Sequence, residues 1–420
     1  METIMEAVHL MENNKTKAAI DLLEKHLPTA DEDEKFTIAE LYIQWGIYPE
    51  ASYILEDLLQ QYPDESELRV MLADIYIELD NDEKAINLLN EIKTDDPAYL
   101  PALIQLADLY QAQGLFEVAE QKLLAAKQLD PEEALVDFAL AELAFSTGEY
   151  QKAITFYERI LPKTNEVANI SINDRLAEAY AASGEYELAL TYFQEIESEN
   201  PDTLFKYGFT AAHANRNDIA IKAWEHVIEI DPHYLSVYYE LAKAYETEER
   251  TNEAYETINK GLQLDDFNKE LYFYAANLAH QINKSDESEK YIREAVALDP
   301  DYKEAVLFLI EMLKIQEKYE EIPELIVEIK KLGADDPLYD WELARAFNKI
   351  ELYNDALNQY NEAYNRLSQD SDFLKEYGYF LTEEGRIKKA ISVFSEYLEI
   401  QPLDTDVEEY LGRLIQSTEI

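Results

Sequence analysis

The chain has 420 residues, of which 88 are acidic and 36 basic, so its formal net charge is −52. This charge excludes binding to nucleic-acid phosphates, which requires clustered Lys and Arg, and it disfavours contact with an anionic lipid surface. The chain contains no Cys, which excludes disulfides, thiolate metal sites and Cys nucleophiles, whereas its 47% of hydrophobic residues can form a buried core.

The N-terminal segment predicts no export signal. It begins with Met1, Glu2, Thr3 and Ile4 and is acidic where a signal peptide needs a basic region. No window reaches the 18 uninterrupted apolar residues typical of a membrane-spanning helix. We therefore expect a soluble, cytoplasmic protein without direct membrane insertion.

Small residues recur along nearly the whole chain at intervals of 31 to 36 residues, most often 34. From the second repeat on, another small residue stands twelve positions earlier, and Pro often stands twelve positions later. The first series is Ala18, Ala51, Ala85, Ala119, Ala153, Ala189, Ala220, Ala254, Ser288, Ile322, Ala356 and Ala390. The second series is Ala39, Ala73, Ala107, Ala141, Ala177, Gly208, Ala242, Ala276, Ile310, Ala344 and Gly378.

Each feature of the repeat has a physical reason. Two small residues, one on each helix of a pair, allow the two helix axes to approach closely. Between them stands a residue suited to a left-handed helix end, and a later Pro ends the second helix. The residues suited to the left-handed end are Gly46, Gly114, Gly148, Gly184, Asn215, Asn283 and Gly385. The pattern predicts an all-α array of about twelve helical hairpins of about 34 residues each.

These residues carry a close family resemblance. The third repeat contains Leu72, Ala73 and Tyr76 on its first helix, then Ala85 and Pro97, and this order resembles the tetratricopeptide repeat. The resemblance covers almost the entire chain and implies an α-solenoid with a right-handed superhelical course. The regular pattern also resembles the cytoplasmic tetratricopeptide proteins of Bacillus-like bacteria of the YpiA type.

The repeat is interrupted at a few points. Two extra residues near Pro162–Ile170 shift the phase, and the tenth repeat has Ile310 and Ile322 at its small positions and Pro323 in the first turn of its second helix. We expect five repeats in residues 1–168, seven in residues 169–403, and a C-terminal capping helix in residues 404–420.

The sequence offers no chemistry for catalysis. It contains no GxxxxGK[ST], GxGxxG, HExxH or GxSxG motif, and its six His have no metal-ligand spacing. The acidic run from Asp31 to Glu34 is more typical of a helix N-terminus than of a calcium loop, because it lacks the alternating ligands and central Gly. We expect no enzyme, no metal and no cofactor.

The residues beside the small position of each first helix are the candidate binding residues, because the resemblance implies that first helices line a concave groove. Three positions before the small residue, the apolar column includes Phe36, Phe138, Phe205, Tyr239, Phe273 and Trp341. One position after it, the charged column includes Glu40, Asp74, Asp108, Glu142 and Glu178, followed by Phe209, Lys243 and Arg345. Residues four apart share a helix face, so the two columns are predicted to run side by side.

Three interpretations of these columns stay open. They could form a groove for a basic, partly apolar segment of another protein, or the aromatic residues could simply pack on the neighbouring repeat. The run of five carboxylates could also arise by chance in so acidic a chain. The sequence therefore predicts a protein-interaction scaffold or adaptor, and a peptide-sensing regulatory repeat protein is the alternative. A homo-oligomer is compatible with either reading.

Overall fold

The computed structural model describes residues 1–196 and 198–418, which form successive antiparallel helix pairs. The chain divides into two compact parts, residues 1–198 and 199–420. We call them the N-terminal part and the C-terminal part and describe each by itself.

The N-terminal part contains twelve helices and one small β-hairpin among its described residues. The helices are α1 (Glu2–Glu12), α2 (Thr16–His26), α3 (Glu32–Gln44), α4 (Tyr48–Gln61), α5 (Ser66–Glu78), α6 (Asp82–Asn90), α7 (Tyr99–Ala112), α8 (Phe116–Leu129), α9 (Ala134–Ser146), α10 (Tyr150–Ile160), α11 (Ile172–Ala182) and α12 (Tyr186–Phe193). A short 3-10 helix, Leu27–Thr29, follows α2. The strands β1 (Glu166–Val167) and β2 (Ile170–Ser171) pair antiparallel, with Glu166 opposite Ser171.

The C-terminal part contains thirteen helices and no strand among its described residues. Its helices are α13 (Pro201–His213), α14 (Asn217–Ile230), α15 (Leu235–Thr247), α16 (Thr251–Leu264), α17 (Lys269–Gln281), α18 (Ser285–Leu298), α19 (Lys303–Ile315), α20 (Glu321–Lys331), α21 (Pro337–Lys349), α22 (Tyr353–Leu367), α23 (Ser371–Glu383), α24 (Ile387–Ile400) and α25 (Thr405–Thr418).

The predicted all-α solenoid of tetratricopeptide hairpins is confirmed. Each odd-numbered helix from α1 to α23 packs against the even-numbered helix that follows it. The predicted small residues lie between the two helices of a pair and are buried; Ala51, Ala153 and Ala390, for example, are 0% exposed. Close helix approach at these positions leaves no room for larger side chains.

The first repeat needs a correction of one residue. Ala18 is exposed, whereas Ala19 is 0% exposed and occupies the position between α1 and α2. The left-handed turn residue gives the same register, because Asn14, with φ 57°, precedes Ala19 by five positions as Gly46 precedes Ala51. The sequence pattern was ambiguous here because two alanines stand side by side.

The interhelix turns follow the prediction and extend it. All seven predicted turn residues have positive φ, from 58° at Asn215 to 83° at Gly184. Besides Asn14, four further turns place Asp80, Glu249, Glu317 and Glu351 in the same left-handed conformation. The left-handed conformation is sterically unfavourable for a non-Gly residue, because its Cβ atom comes close to the backbone carbonyl oxygen. The packing of the two helices therefore imposes the turn geometry on these residues.

The interruptions of the repeat have local structural counterparts. The extra residues near Pro162–Ile170 form the loop and hairpin of β1 and β2. Helices α19 and α20 pack less closely than the helices of the other described hairpins, because Ile310 and Ile322 occupy the small positions. Helix α25 follows α24 as a single helix, while residues 419 and 420 of the predicted cap lie outside the described residues. The predicted boundaries at 168 and 403 remain predictions.

A recurring hydrogen bond connects successive hairpins. Three Tyr, each three positions after the small residue of a first helix, donate their hydroxyl hydrogen to a Glu on the second helix of the preceding pair. The pairs are Tyr76 with Glu56, Tyr180 with Glu158, and Tyr245 with Glu225. A hydrogen bond to a charged acceptor is stronger than one between neutral groups, so these links hold neighbouring repeats in register.

No helix in the described ranges is both long and apolar enough to span a lipid bilayer.

Candidate partner-binding surfaces

Three carboxylates of the charged column are exposed on successive first helices of the N-terminal part. Glu40 on α3, Asp74 on α5 and Asp108 on α7 are all exposed. Gln105 Nε2 donates a hydrogen bond to Asp74 Oδ1 at 2.6 Å. Burial raises the pKa of Asp74 and of Asp108 although both side chains reach solvent. Surrounding protein atoms therefore displace part of the water around each carboxylate, as expected on a recessed surface.

The remaining two carboxylates of the acidic column are neutralised within the protein. Arg175 Nε lies 3.0 Å from Glu142 Oε1, and Arg175 Nη1 donates to Glu178 Oε2 at 2.9 Å. The Tyr157 hydroxyl also donates to Glu142, at 2.5 Å. The guanidinium of Arg175 thus pairs with both Glu142 and Glu178. The carboxylates of this column without an ion pair in the described residues are therefore those on α3, α5 and α7.

The apolar column of the N-terminal part is mostly recessed. Phe36 is half-buried and packs on the core of the first three repeats. Phe138 is only 7% exposed, and its ring centroid lies 6.2 Å from that of Tyr157. The aromatic surface beside the carboxylates is therefore smaller than the spacing alone indicates.

Phe209 and Lys243 line one pocket in the C-terminal part. The pocket, of about 360 Å³, lies between α13, α14 and α15, and both side chains are exposed in it. The ring of His213 lies 4.5 Å from that of Phe209. The pocket combines an aromatic face, an ammonium group and the carboxylate of Glu240.

The apolar-column aromatic residues of α13, α15 and α17 pack against aromatic residues of the following repeat. The ring of Phe205 lies 5.2 Å from Tyr234, that of Tyr239 5.2 Å from Tyr274, and that of Phe273 5.2 Å from Tyr302. Tyr239 nevertheless remains 36% exposed. These pairs stabilise the stacking of hairpins and present only ring edges or parts of ring faces to solvent.

Trp341 and Arg345 belong to a hydrogen-bonded network around Glu376. Trp341 is 8% exposed, and its indole Nε1 donates to Glu376 Oε1 at 2.9 Å. The guanidinium of Arg345 donates to both oxygens of Glu376 and, through Nη1, to Glu342 at 2.6 Å. The hydroxyl of Tyr360 is the third group that donates to Glu376, at 2.8 Å. Burial raises the pKa of Glu376, but the hydrogen bonds and positive charge of Arg345, together with the hydrogen bonds from Trp341 and Tyr360, outweigh it and lower that pKa.

This network borders a pocket of about 520 Å³ in the C-terminal part. Lys314 also lines it and pairs with Glu311 at 2.9 Å and Glu342 at 3.2 Å. Because these cations are already paired, the pocket wall carries little net charge. Sequence analysis missed Glu376 and Lys314, since pairing across helices is not encoded in the spacing of either residue.

Comparison with known proteins assigns the family. Family models of the YpiA-like proteins match residues 111–164, as tetratricopeptide repeats, and residues 337–404, as C-terminal tetratricopeptide repeats. General tetratricopeptide-repeat models match residues 42–97, 174–203, 235–268 and 270–302. The TPR repeat-containing protein YpiA of Bacillus subtilis strain 168 is 40% identical over 413 residues, which cover 98% of each chain. The chain belongs to the YpiA-like tetratricopeptide-repeat family.

Other relatives of this YpiA-like protein are more distant. The Protein CTR9 homolog of Arabidopsis thaliana is 22% identical over 247 residues, 56% of this chain and 22% of that protein. Among solved structures, YrrB, described as a TPR protein with an unusual peptide-binding site, has a TM-score of 0.38 and 16% identity over 44% of this chain and 95% of its own. A tetratricopeptide-repeat protein of Parabacteroides merdae has a TM-score of 0.41 and 14% identity, over 59% of this chain and 98% of its own. Tetratricopeptide-repeat proteins generally mediate protein–protein interactions.

Proposed function

We propose that this YpiA-like protein is a non-enzymatic cytoplasmic scaffold or adaptor that binds segments of other proteins along its first helices. The observation that carries the proposal is the repeated open carboxylate of Glu40, Asp74 and Asp108 on α3, α5 and α7. These three carboxylates form no ion pair within the described residues, in contrast to Glu142 and Glu178 of the same column, which Arg175 pairs.

The open carboxylates favour a partner segment rich in Lys and Arg. Acidic groups at a regular repeat spacing attract an extended or helical basic segment and increase its association rate. The exposed rings of Phe209 and Tyr239 offer apolar contacts in the C-terminal part, where Lys243 reduces the negative charge. The proposed ligand is therefore basic and partly apolar.

A peptide array tests the proposal. An array of short peptides that tiles the host proteome is incubated with the purified full chain, and the affinities of selected peptides are then measured in solution. We expect the bound peptides to combine basic and apolar residues. The triple variant Glu40→Gln, Asp74→Asn, Asp108→Asn should bind them about tenfold more weakly, since each exposed charge contact contributes about 0.5 kcal/mol.

A matched control variant distinguishes the effect of these three carboxylates from the effect of the overall net charge. The variant Asp21→Asn, Glu83→Gln, Asp95→Asn also removes three exposed carboxylates, none of which belongs to the charged column. It should keep wild-type affinity. Equal weakening in both variants would mean that the charge acts only through long-range attraction, and a peptide set without basic residues would contradict the proposal.

A further inference from the structure

Among the Tyr at this position that have a Glu at the acceptor position, Tyr42 departs from the hydrogen bond that connects successive hairpins. Tyr42 on α3 corresponds to Tyr76, Tyr180 and Tyr245, and Glu24 on α2 corresponds to their Glu acceptors once the register is set at Ala19. Tyr42 is 1% exposed, yet its hydroxyl has no hydrogen-bond partner among the described residues. A buried hydroxyl without a hydrogen-bond partner destabilises the folded state, because it loses its hydrogen bonds to water and gains none in return.

The hydroxyl is unpartnered because the first and second hairpins stand further apart. Helices α2 and α3 pack against each other less closely than the corresponding pairs α4 and α5 or α10 and α11 do. The short 3-10 helix Leu27–Thr29 occupies the connection. A pocket of about 300 Å³ opens between α2, α3 and α4.

The lining of this pocket matches a cationic side chain with an aliphatic stem. Its polar groups are the Tyr42 hydroxyl and the exposed carboxylates of Glu24 and Glu50. The remaining lining residues are apolar or aromatic: Leu27, Pro49, Tyr53 and Ile54. Tyr53 is 71% exposed, so its ring is available to a cation.

The charges around the pocket support the same ligand. Burial, followed by the negative charges of Glu24 and Glu50, raises the pKa of Tyr42 to about 12. The phenol is therefore neutral at physiological pH and can accept a hydrogen bond. Neither Glu24 nor Glu50 makes an ion pair within the described residues.

We propose that this pocket binds a lysine side chain presented by a partner polypeptide. An ammonium group has three N–H donors, which match the carboxylates of Glu24 and Glu50 and the Tyr42 hydroxyl. The four-carbon stem would lie against Leu27 and Ile54. The site is separate from the charged column, because Glu40 and Tyr42 are two positions apart on α3 and point to opposite sides of the helix.

Nuclear magnetic resonance on the full chain tests the pocket, using the Ile54 methyl group as reporter and Nα-acetyl-lysine N-methylamide as probe. We expect a saturable shift of this resonance with the lysine probe. The norleucine analogue, which lacks the ammonium group, and methylammonium, which lacks the stem, should bind at least tenfold more weakly. The arginine analogue should also bind more weakly than lysine. Equal binding of norleucine, tighter binding of arginine, or no saturable shift would overturn the proposal.

Variants locate the binding determinant. Glu24→Gln with Glu50→Gln should weaken lysine binding at least tenfold, and Tyr42→Phe should weaken it several-fold. The matched control is Tyr76→Phe, whose hydroxyl is already bonded to Glu56 and which should leave the affinity unchanged. An unchanged affinity in the Glu24 and Glu50 variant contradicts the site. The triple variant of the charged column keeps this pocket intact, so failure of the pocket and failure of the proposed scaffold function are distinguishable.

Discussion

Gly208 and Gly378 are required by the aromatic residue that faces each of them. A Cβ atom at Gly208 would stand 2.5 Å from Nε1 of Trp224, and one at Gly378 would stand 2.6 Å from Cε1 of Phe394. Both rings are almost fully buried, at 1% and 0% exposure, and cannot move aside without disturbing the core. The small residue and the aromatic residue of a repeat are therefore coupled in size.

This coupling predicts the effect of adding one methyl group. Gly208→Ala and Gly378→Ala should each lower the free energy of unfolding by about 1–3 kcal/mol, because overpacking forces the ring or the backbone to shift. Gly412→Ala is the control: nothing lies within 4 Å of its Cβ position, and Ala favours the helix. Chemical denaturation of the three variants checks this, and equal stability of Gly208→Ala and Gly412→Ala would contradict it.

Residue type predicted some of the interhelix turns but not others. The left-handed turns at Gly46 and Asn215 were predictable because Gly and Asn favour positive φ. The same turn at Glu249 or Glu317 was not, because Glu has no such preference and tertiary packing imposes the conformation. Ala18 and Ala19 could not be separated by composition, and only burial decides between them.

At the scale of elements, helix α25 is held by the carboxylate that precedes it. Asp404 accepts hydrogen bonds from Lys375 Nζ at 2.7 Å, from the Tyr397 hydroxyl at 2.6 Å and from the backbone N–H of Val407 at 3.2 Å. These bonds lower the pKa of Asp404 from 3.8 to about 2. One carboxylate thus caps α25 and connects it to α23 and α24.

The lowered pKa predicts how pH affects this contact. A carboxyl group with a lower pKa in the folded state stabilises the protein above its unfolded pKa, and this stabilisation is lost as pH falls from about 4 towards about 2. Asp404→Asn should therefore be less stable than wild type at pH 5, and the difference should shrink below pH 3. Thermal unfolding of both chains across this range measures it; a constant difference would mean that the charge of Asp404 contributes nothing.

Pairs of elements explain why the site was only partly predictable. Helical spacing placed Glu40, Glu142 and Trp341 beside the small positions of their helices, but it could not show which of them had partners. The pairing of Arg175 with Glu142 joins α11 to α9, and that of Arg345 with Glu376 joins α21 to α23. Such contacts depend on the distance between helices and on side-chain conformers, which a column of residues does not contain.

At the scale of the whole molecule, the acidic residues behind the net charge of −52 have different roles. Some carboxylates, such as those of Glu56, Glu158 and Glu225, accept hydrogen bonds from a Tyr of the next hairpin. Others form ion pairs across neighbouring repeats, as Asp299 does with Lys269. Acidic residues therefore contribute to the stacking of repeats as well as to solubility, whereas Glu40, Asp74 and Asp108 form no ion pair within the described residues.

The most direct test of the proposed function is to locate a bound peptide on the chain. Hydrogen exchange followed by mass spectrometry, on the full chain with and without an array-selected basic peptide, reports which helices become protected. The account predicts slower exchange in the first helices α3, α5 and α7 and little change in the second helices α4 and α6, with the effect reduced in the triple carboxylate variant. Protection confined to the second helices, or equal protection in that variant, would contradict it.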